Sequence, residues 1–343
     1  MAISSLSKIA SGRFGRAGLG LVALASFGGV ALPVAAQPAP AAASAPVSPP
    51  WLSVAQLRQR YADANSRYMT IDGVEVHYKD EGPRTAPVLF MVHGSLSTLR
   101  TWDVITQKLK TRYRIIRYDI PGYGLSGRIS DEVAAKVQPV DIAEGLLTRL
   151  GVKKITFVGV SSGGTMGMYL AAKRPDMVQR LILSNTPSDP VDTSHLVMPK
   201  SFTDGIAKAK ANGGYNDRAY WDDYLGFFAG DAKRISTRTR DEYYDFNRRV
   251  PEKYPVTLVA RIGDGKQATI EMAKVTAPTL LLWGGADPLL PESAANAITR
   301  YLHNAQISRV IMPDVGHYPP LEVPERFAQF IAAYVEAGTP NVK

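Results

Sequence analysis

The chain contains no cysteine in its 343 residues. That excludes disulfides, thiolate metal ligands, a cysteine nucleophile and a lipid-modified N-terminal cysteine. It also leaves structural zinc without its usual ligands. Histidine is scarce: five copies serve the whole chain, so a reaction that needs an imidazole has few candidates. No dense run of one charge occurs. Lys and Arg total 40 against 31 Asp and Glu, a formal net charge of +9, with the two signs interspersed along most of the sequence. A solvated basic surface accounts for that excess, and no nucleic-acid partner is expected. There is no internal repeat. With 45% apolar and 21% charged residues, wholesale disorder, collagen and coiled coil are excluded. The length allows one large α/β domain with an insertion, or two domains.

Part of the positive charge lies at the N-terminus. Lys8, Arg13 and Arg16 precede an apolar stretch from Ala17 to Ala36 that ends in Val34-Ala35-Ala36. A positive start, an apolar run and a small-residue cleavage site make up a secretory signal peptide, so residues 1–36 are read as one and the protein as exported, periplasmic or secreted. The stretch is close to the length that spans a bilayer, so an uncleaved membrane anchor is the competing reading. Arg13 and Arg16 are separated, so no twin-arginine signal is present. Residues 37–50, rich in Ala, Pro and Ser, are read as an extended linker.

From Trp51 the pattern becomes that of a folded chain. Ser53 can cap a short helix with Val54, Leu57, Arg58 and Tyr61 on one stripe. Tyr68–Ile71 and Val74–Tyr78 flank Asp72-Gly73, a hairpin signal. A continuous apolar run follows at Pro87–Val92, as expected of a strand buried on both faces, and Arg114–Tyr118, Ile155–Val160, Arg180–Ser184, Thr279–Trp283 and Ser308–Met312 are further candidates for buried strands. Helical patterns at Leu99–Leu109, Val140–Leu150, Ser162–Lys173, Glu292–Leu302 and Pro324–Ala337 alternate with them. The expected fold is α/β: a mostly parallel sheet covered on both faces, with the hairpin at one edge. Residues 187–276 break the alternation with charged, aromatic, helical patterns and are read as a helical cap. The core is then residues 51–186 and 277–343.

The chemistry starts at Gly159-Val160-Ser161-Ser162-Gly163, a G-x-S-x-G placed after an apolar strand and before a helix. The glycines permit a sharp turn that lifts the Ser161 hydroxyl above the sheet edge, and the following helix aims its N-terminal amides at developing negative charge. Ser162 is the competing hydroxyl. A serine needs a base. Of His77, His93, His195, His303 and His317, only His93 and His317 follow predicted buried strands. His317, after the last strand, is the expected base, because a parallel strand delivers its C-terminal loop to the same edge as Ser161. Asp287 in Gly284-Gly285-Ala286-Asp287-Pro288 is the favoured orienting acid, with Asp189 and Asp314 in competition. The N–H groups of Ser95 and Ser162 are the expected oxyanion donors, and His93 is read as structural support under the loop Gly94-Ser95-Leu96. Leu96, with Trp221, Tyr224 and Phe227 at an i, i+3, i+6 spacing in the insertion, are candidates for a substrate pocket. Those three aromatics serve equally well as cap core.

Taken together, His93-Gly94-Ser95, Asp119-Ile120-Pro121-Gly122-Tyr123-Gly124-Leu125-Ser126, the Ser161 turn, Gly285-Ala286-Asp287-Pro288 and Gly316-His317 resemble the α/β-hydrolases with a helical cap, over about residues 68–335. The resemblance implies an eight-stranded sheet, a Ser161–Asp287–His317 triad and no cofactor or metal; Asp119 is then a turn-former. Serine in place of aspartate at the elbow argues against the dehalogenases and epoxide hydrolases of that family. The expected reaction is hydrolysis of a small carboxylic ester or lactone through an acyl-enzyme on Ser161. Acyl transfer, carbon–carbon bond hydrolysis and perhydrolysis are the alternatives on the same fold, and a non-catalytic binding module is the alternative of another class. The oligomeric state is not legible.

Overall fold

The computed structural model describes residues 51–252 and 265–338. The signal segment and linker read at residues 1–50 lie outside the described residues, as do residues 253–264 of the predicted cap. Eight strands form one sheet: β1 (Arg67–Ile71), β2 (Val74–Glu81), β3 (Val88–Val92), β4 (Arg114–Tyr118), β5 (Ile155–Val160), β6 (Val178–Ser184), β7 (Thr279–Gly284) and β8 (Ile307–Met312). Their order is β1-β2-β4-β3-β5-β6-β7-β8. The pairs β1–β2 and β2–β4 are antiparallel and the rest parallel. This is the α/β-hydrolase architecture that the motifs imply. The hairpin closes on Asp72 (φ +46°) and Gly73 (φ +83°), the two left-handed positions of a tight turn.

Successive side chains of the central strands point to opposite faces, and both faces are covered. Leu89, Met91, Val158, Ile182, Leu280 and Leu282 pack with Ile105 and Leu109 of α2 (Asp103–Leu109) and Phe327, Ile331 and Val335 of the C-terminal helix. On the other face Phe90 meets the rings of Phe157 and Tyr118, and the Tyr118 hydroxyl donates to the Met166 sulfur. Burial of each such side chain contributes about 1.5–3 kcal/mol. Two details depart from the pattern read above. Leu99–Leu109 divides into a 3-10 turn (Leu99–Trp102) and α2. β8 is an edge strand whose Ser308 and Arg309 are exposed, where Ser308–Met312 is expected as a buried strand.

The remaining helices run in chain order: α1 (Val54–Tyr61), α3 (Asp131–Lys136), α4 (Pro139–Arg149), α5 (Ser162–Lys173), α6 (Lys200–Ala211), α7 (Arg218–Phe228), α8 (Thr237–Asn247), α9 (Gly265–Met272), α10 (Glu292–Tyr301), α11 (Pro319–Glu322) and α12 (Pro324–Ala337). Ser53 caps α1 reciprocally with Gln56. The chain enters the fold at Leu52, which is buried and joined to the segment after α8 by Leu52 N–H to Arg248 O (2.7 Å) and Val250 N–H to Leu52 O (2.9 Å). Helices α6, α7 and α8 lie between β6 and β7 in sequence, and their buried aromatics pack on one another. Phe202 contacts the rings of Tyr220, Tyr224, Phe227 and Phe228, and Trp221 contacts those of Tyr220, Tyr224 and Tyr243. Among the described residues no helix is long and apolar enough to cross a membrane.

Candidate active site

The site forms where β3, β5, β7 and β8 end. A sharp turn joins β5 to α5, and Ser161 occupies it with φ +52° and ψ −130°. A non-glycine residue in that region is strained, and such strain collects at functional positions. The turn is held by Ser161 N–H donating to Ser184 O (2.9 Å) and by Gly164 N–H donating to Ser161 O (2.9 Å). The adjoining loop after β3 must come very close: a Cβ on Gly94 would stand 2.9 Å from Ser161 Cβ. Two residues further on, Leu96 has φ +60°, a second strained position on the same rim. The Ser95 and Ser162 hydroxyls lie 3.0 Å apart, so the two residues expected to donate to an oxyanion are in contact.

His317 and Asp287 meet as expected: the imidazole Nδ1 is 2.7 Å from Asp287 Oδ2. With a carboxylate as partner, Nδ1 carries the proton and donates, which leaves Nε2 as acceptor. Both side chains are buried. No hydrogen bond joins the Ser161 hydroxyl to His317; strand topology alone brings them to one edge. The competing acids are engaged elsewhere. Asp189 accepts from the Tyr301 hydroxyl, and Asp314 pairs with Arg234 and Arg326. Three of the other four histidines are engaged elsewhere. His93, wholly buried, is held below its usual pKa by desolvation and is therefore neutral. Its Nδ1–H donates to Gly94 O (2.7 Å), and its Nε2 accepts from Ile120 N–H (3.0 Å). His77 pairs with Asp119, 2.7 Å. Burial alone would raise the Asp119 carboxyl, but hydrogen bonds from His77 and the Leu125 N–H hold it low. His195 Nε2 bonds Pro288 O.

Asn185, at the end of β6, is a site residue that sequence reasoning passes over. It is fully buried with φ +40°. Its Nδ2 donates to Asp287 Oδ2 (2.7 Å) and to Gly284 O (3.1 Å), while its Oδ1 accepts from Gly284 N–H (2.9 Å). Leu289 N–H donates to Asp287 Oδ1 at 2.8 Å. The carboxylate is thereby oriented from both sides. The sequence signal is slight: asparagine tolerates the left-handed region better than most residues.

Of the candidate pocket residues, Leu96 is half-buried and borders a cleft with Ser97, Arg100, Tyr243, Phe246 and Leu321. Trp221 and Tyr224 are buried in the aromatic cluster, and Phe227 is half-buried. That cluster reaches the imidazole, since the rings of Phe228 and Tyr318 both contact His317, at 6.2 and 5.3 Å between centroids. Among the described residues no group of three or more His, Cys, Asp or Glu is arranged to hold a metal ion.

Comparison with known proteins agrees with this fold. Residues 87–324 match the sequence profile of the alpha/beta hydrolase fold. The chain is similar to a pimeloyl-acyl-carrier-protein methyl ester esterase of Nitrosomonas europaea, 27% identical over 74% of this chain and 96% of that protein. It is similar to a 2-hydroxymuconate semialdehyde hydrolase of Pseudomonas sp. strain CF600, 24% identical over 77% of this chain and 91% of that protein. Among solved structures, the enol-lactonase of Burkholderia xenovorans LB400 superposes with a TM-score of 0.61 at 20% identity, covering 79% of this chain and all of that one.

Proposed function

The chain belongs to the α/β-hydrolase family and is a hydrolase of that family, and on this premise we propose that it cleaves a small carboxylic ester or lactone through an acyl-enzyme on Ser161. The observation that carries the reading is the strained Ser161 turn beside Gly94, on the same sheet edge as the His317–Asp287 pair. In this reading Ser161 Oγ attacks the carbonyl carbon as its proton passes to His317 Nε2. The carbonyl oxygen takes the negative charge and is held by the N–H groups of Ser95 and Ser162. Asp287 holds Nδ1–H and stabilises the imidazolium. The intermediate collapses, the leaving alcohol takes the proton from Nε2, and water repeats the sequence to release the acid. A named relative acts on a methyl ester and a structural neighbour on an enol-lactone, which supports an oxygen leaving group.

A panel of p-nitrophenyl esters of rising acyl length, run beside lactones and a vinylogous diketone, tests the reading. Turnover of short esters, with one fluorophosphonate bound per chain at Ser161, is the expected result. Turnover of the diketone alone would replace it with carbon–carbon hydrolysis.

Leu96, Trp221, Tyr224 and Phe227 enter the proposal as the wall that selects the acyl group. Trp221→Ala should change the ranking among acyl lengths while p-nitrophenyl acetate is still cleaved, because its transition state is held by the oxyanion donors and His317. Trp221 is 2% exposed, so the same change also leaves a cavity costing about 3–5 kcal/mol and lowers the melting temperature. A lowered melting temperature with an unchanged ranking would assign Trp221 to packing alone.

Export belongs to the proposal too. Mass spectrometry of protein expressed in a bacterium should find an N-terminus just after Ala36. A chain starting at Trp51 should keep full activity, because the contacts of Leu52 are retained. A full-length cytoplasmic product would count against export.

A further inference from the structure

A buried carboxylate ties the His317 loop to the end of α7. Glu322 closes α11 with its side chain shut off from solvent. Its Oε1 accepts from Gly316 N–H at 2.9 Å; its Oε2 accepts from Gly230 N–H at 2.9 Å and from Asp231 N–H at 3.3 Å. Gly316 immediately precedes His317, and Gly230 and Asp231 follow α7, so one carboxylate bridges two distant segments. His317 N–H donates to Phe228 O (2.8 Å), a second tie one residue along. The two backbones lie too close for side chains between them: a Cβ on Gly230 would stand 2.7 Å from Gly316 N, and one on Gly316 would collide with Phe228 O. Arg234 closes the outer side, donating to Asp314 O (2.7 Å) and Asp314 Oδ2 (2.8 Å), with its Nη1 4.0 Å from Glu322 Oε2.

Burying a carboxylate is costly unless it is paired and hydrogen-bonded. Desolvation pushes the Glu322 carboxyl above its usual range in spite of the backbone donors around it. An apolar side chain of similar volume would fill the space more cheaply. It could not fix three N–H groups from two segments in place. From this geometry we infer that Glu322 is a positioning residue for His317: its carboxylate locks the loop that carries the imidazole to the turn after α7, so that the base is held in register with the cap. The inference rests on the reading of Ser161 and His317 given above.

Glu322→Gln tests it. The variant keeps the volume and one acceptor oxygen, but its NH2 must face N–H donors of one segment or the other, so half of the bridge is lost. Active sites are counted by fluorophosphonate titration, and kcat per titrated site is measured on p-nitrophenyl acetate and on a longer ester. Hydrogen exchange is followed in peptides spanning residues 228–232 and 313–318. The expected result is a fall in kcat per site of about 10–100-fold, the scale of a small misplacement of a catalytic group, with KM within about twofold. The factor should be the same for both esters, and both segments should exchange faster. A merely structural role would reduce the titratable fraction and leave kcat per site intact, which overturns the inference. A loss confined to the longer ester overturns it too, because the effect would then lie in the pocket. Should Glu322→Gln fail to fold, Glu322→Asp keeps the charge but is too short to reach both segments. A fall of about 3–10-fold in kcat per site is then expected, and an unchanged value refutes the role. Failure of the underlying reading is seen separately, as activity that survives Ser161→Ala.

Discussion

Ser161→Ala should lower kcat by about 10⁴–10⁶ while the protein stays folded, because members of a nucleophile–base–acid unit fail together and not in proportion. The backbone at this position does not depend on the hydroxyl. The turn is held by main-chain bonds to Ser184 O and from Gly164 N–H, and the neighbouring Gly94 accommodates a methyl as it does the serine Cβ. Alanine leaves the φ of +52° occupied by a residue with a Cβ, as before. Circular dichroism and the melting temperature should therefore change little. The activity that remains over the uncatalysed reaction would come from the oxyanion donors and substrate binding. Ser162→Ala is the discriminating partner. It removes a hydroxyl bonded to Ser95 Oγ but keeps the Ser162 N–H, so a loss below about tenfold is expected, a single neutral hydrogen bond being worth about 1 kcal/mol. A dead Ser162→Ala beside an active Ser161→Ala would reverse the assignment of the nucleophile.

The strands are legible in the sequence because a parallel sheet covered on both faces makes its central strands mostly apolar, without a break at Val88–Val92 and with only Thr156 polar in Ile155–Val160. The same reasoning overestimates β8, an edge strand in which only Met312 is fully buried while Ser308 and Arg309 are exposed. The His317–Asp287 contact is also legible, because both residues follow strands whose ends lie at one edge. Asn185 and Glu322 are not. An asparagine after a strand reads as a turn former, and a glutamate beside prolines at a helix end reads as surface. Their roles come from backbone groups that reach them from 99 residues away for Gly284 and 92 for Gly230, and side-chain chemistry in the sequence carries no record of such partners. The cap aromatics are legible as a buried set but not as pocket or core, since a ring that packs on other rings and a ring that faces a ligand obey the same spacing.

Asp287→Asn should reduce kcat on p-nitrophenyl acetate by about 10³–10⁴ with only a modest effect on folding, and the reason lies in which atoms carry protons. Asp287 Oδ2 accepts from two donors at once, His317 Nδ1 and Asn185 Nδ2, each at 2.7 Å. Oδ1 is already committed to Leu289 N–H. The new amide keeps its oxygen on Leu289, so its NH2 faces both former donors. Asn185 cannot turn over to relieve the conflict, because its Oδ1 and Nδ2 are fixed by the N–H and the C=O of Gly284. The imidazole must yield: it moves its proton from Nδ1 to Nε2, accepts from the new amide, and loses the lone pair that takes the proton of Ser161. Binding is untouched, so KM should stay within about threefold while kcat collapses, the mark of an interaction realised only in the transition state. The unrelieved donor–donor contact with Asn185 should cost about 1–3 kcal/mol, read as a small drop in melting temperature. Asp189→Asn is the control, since Asp189 is held by Tyr301 and does not touch His317. A collapse of kcat in the control, with Asp287→Asn near normal, would move the acid to the end of β6 and undo the assignment.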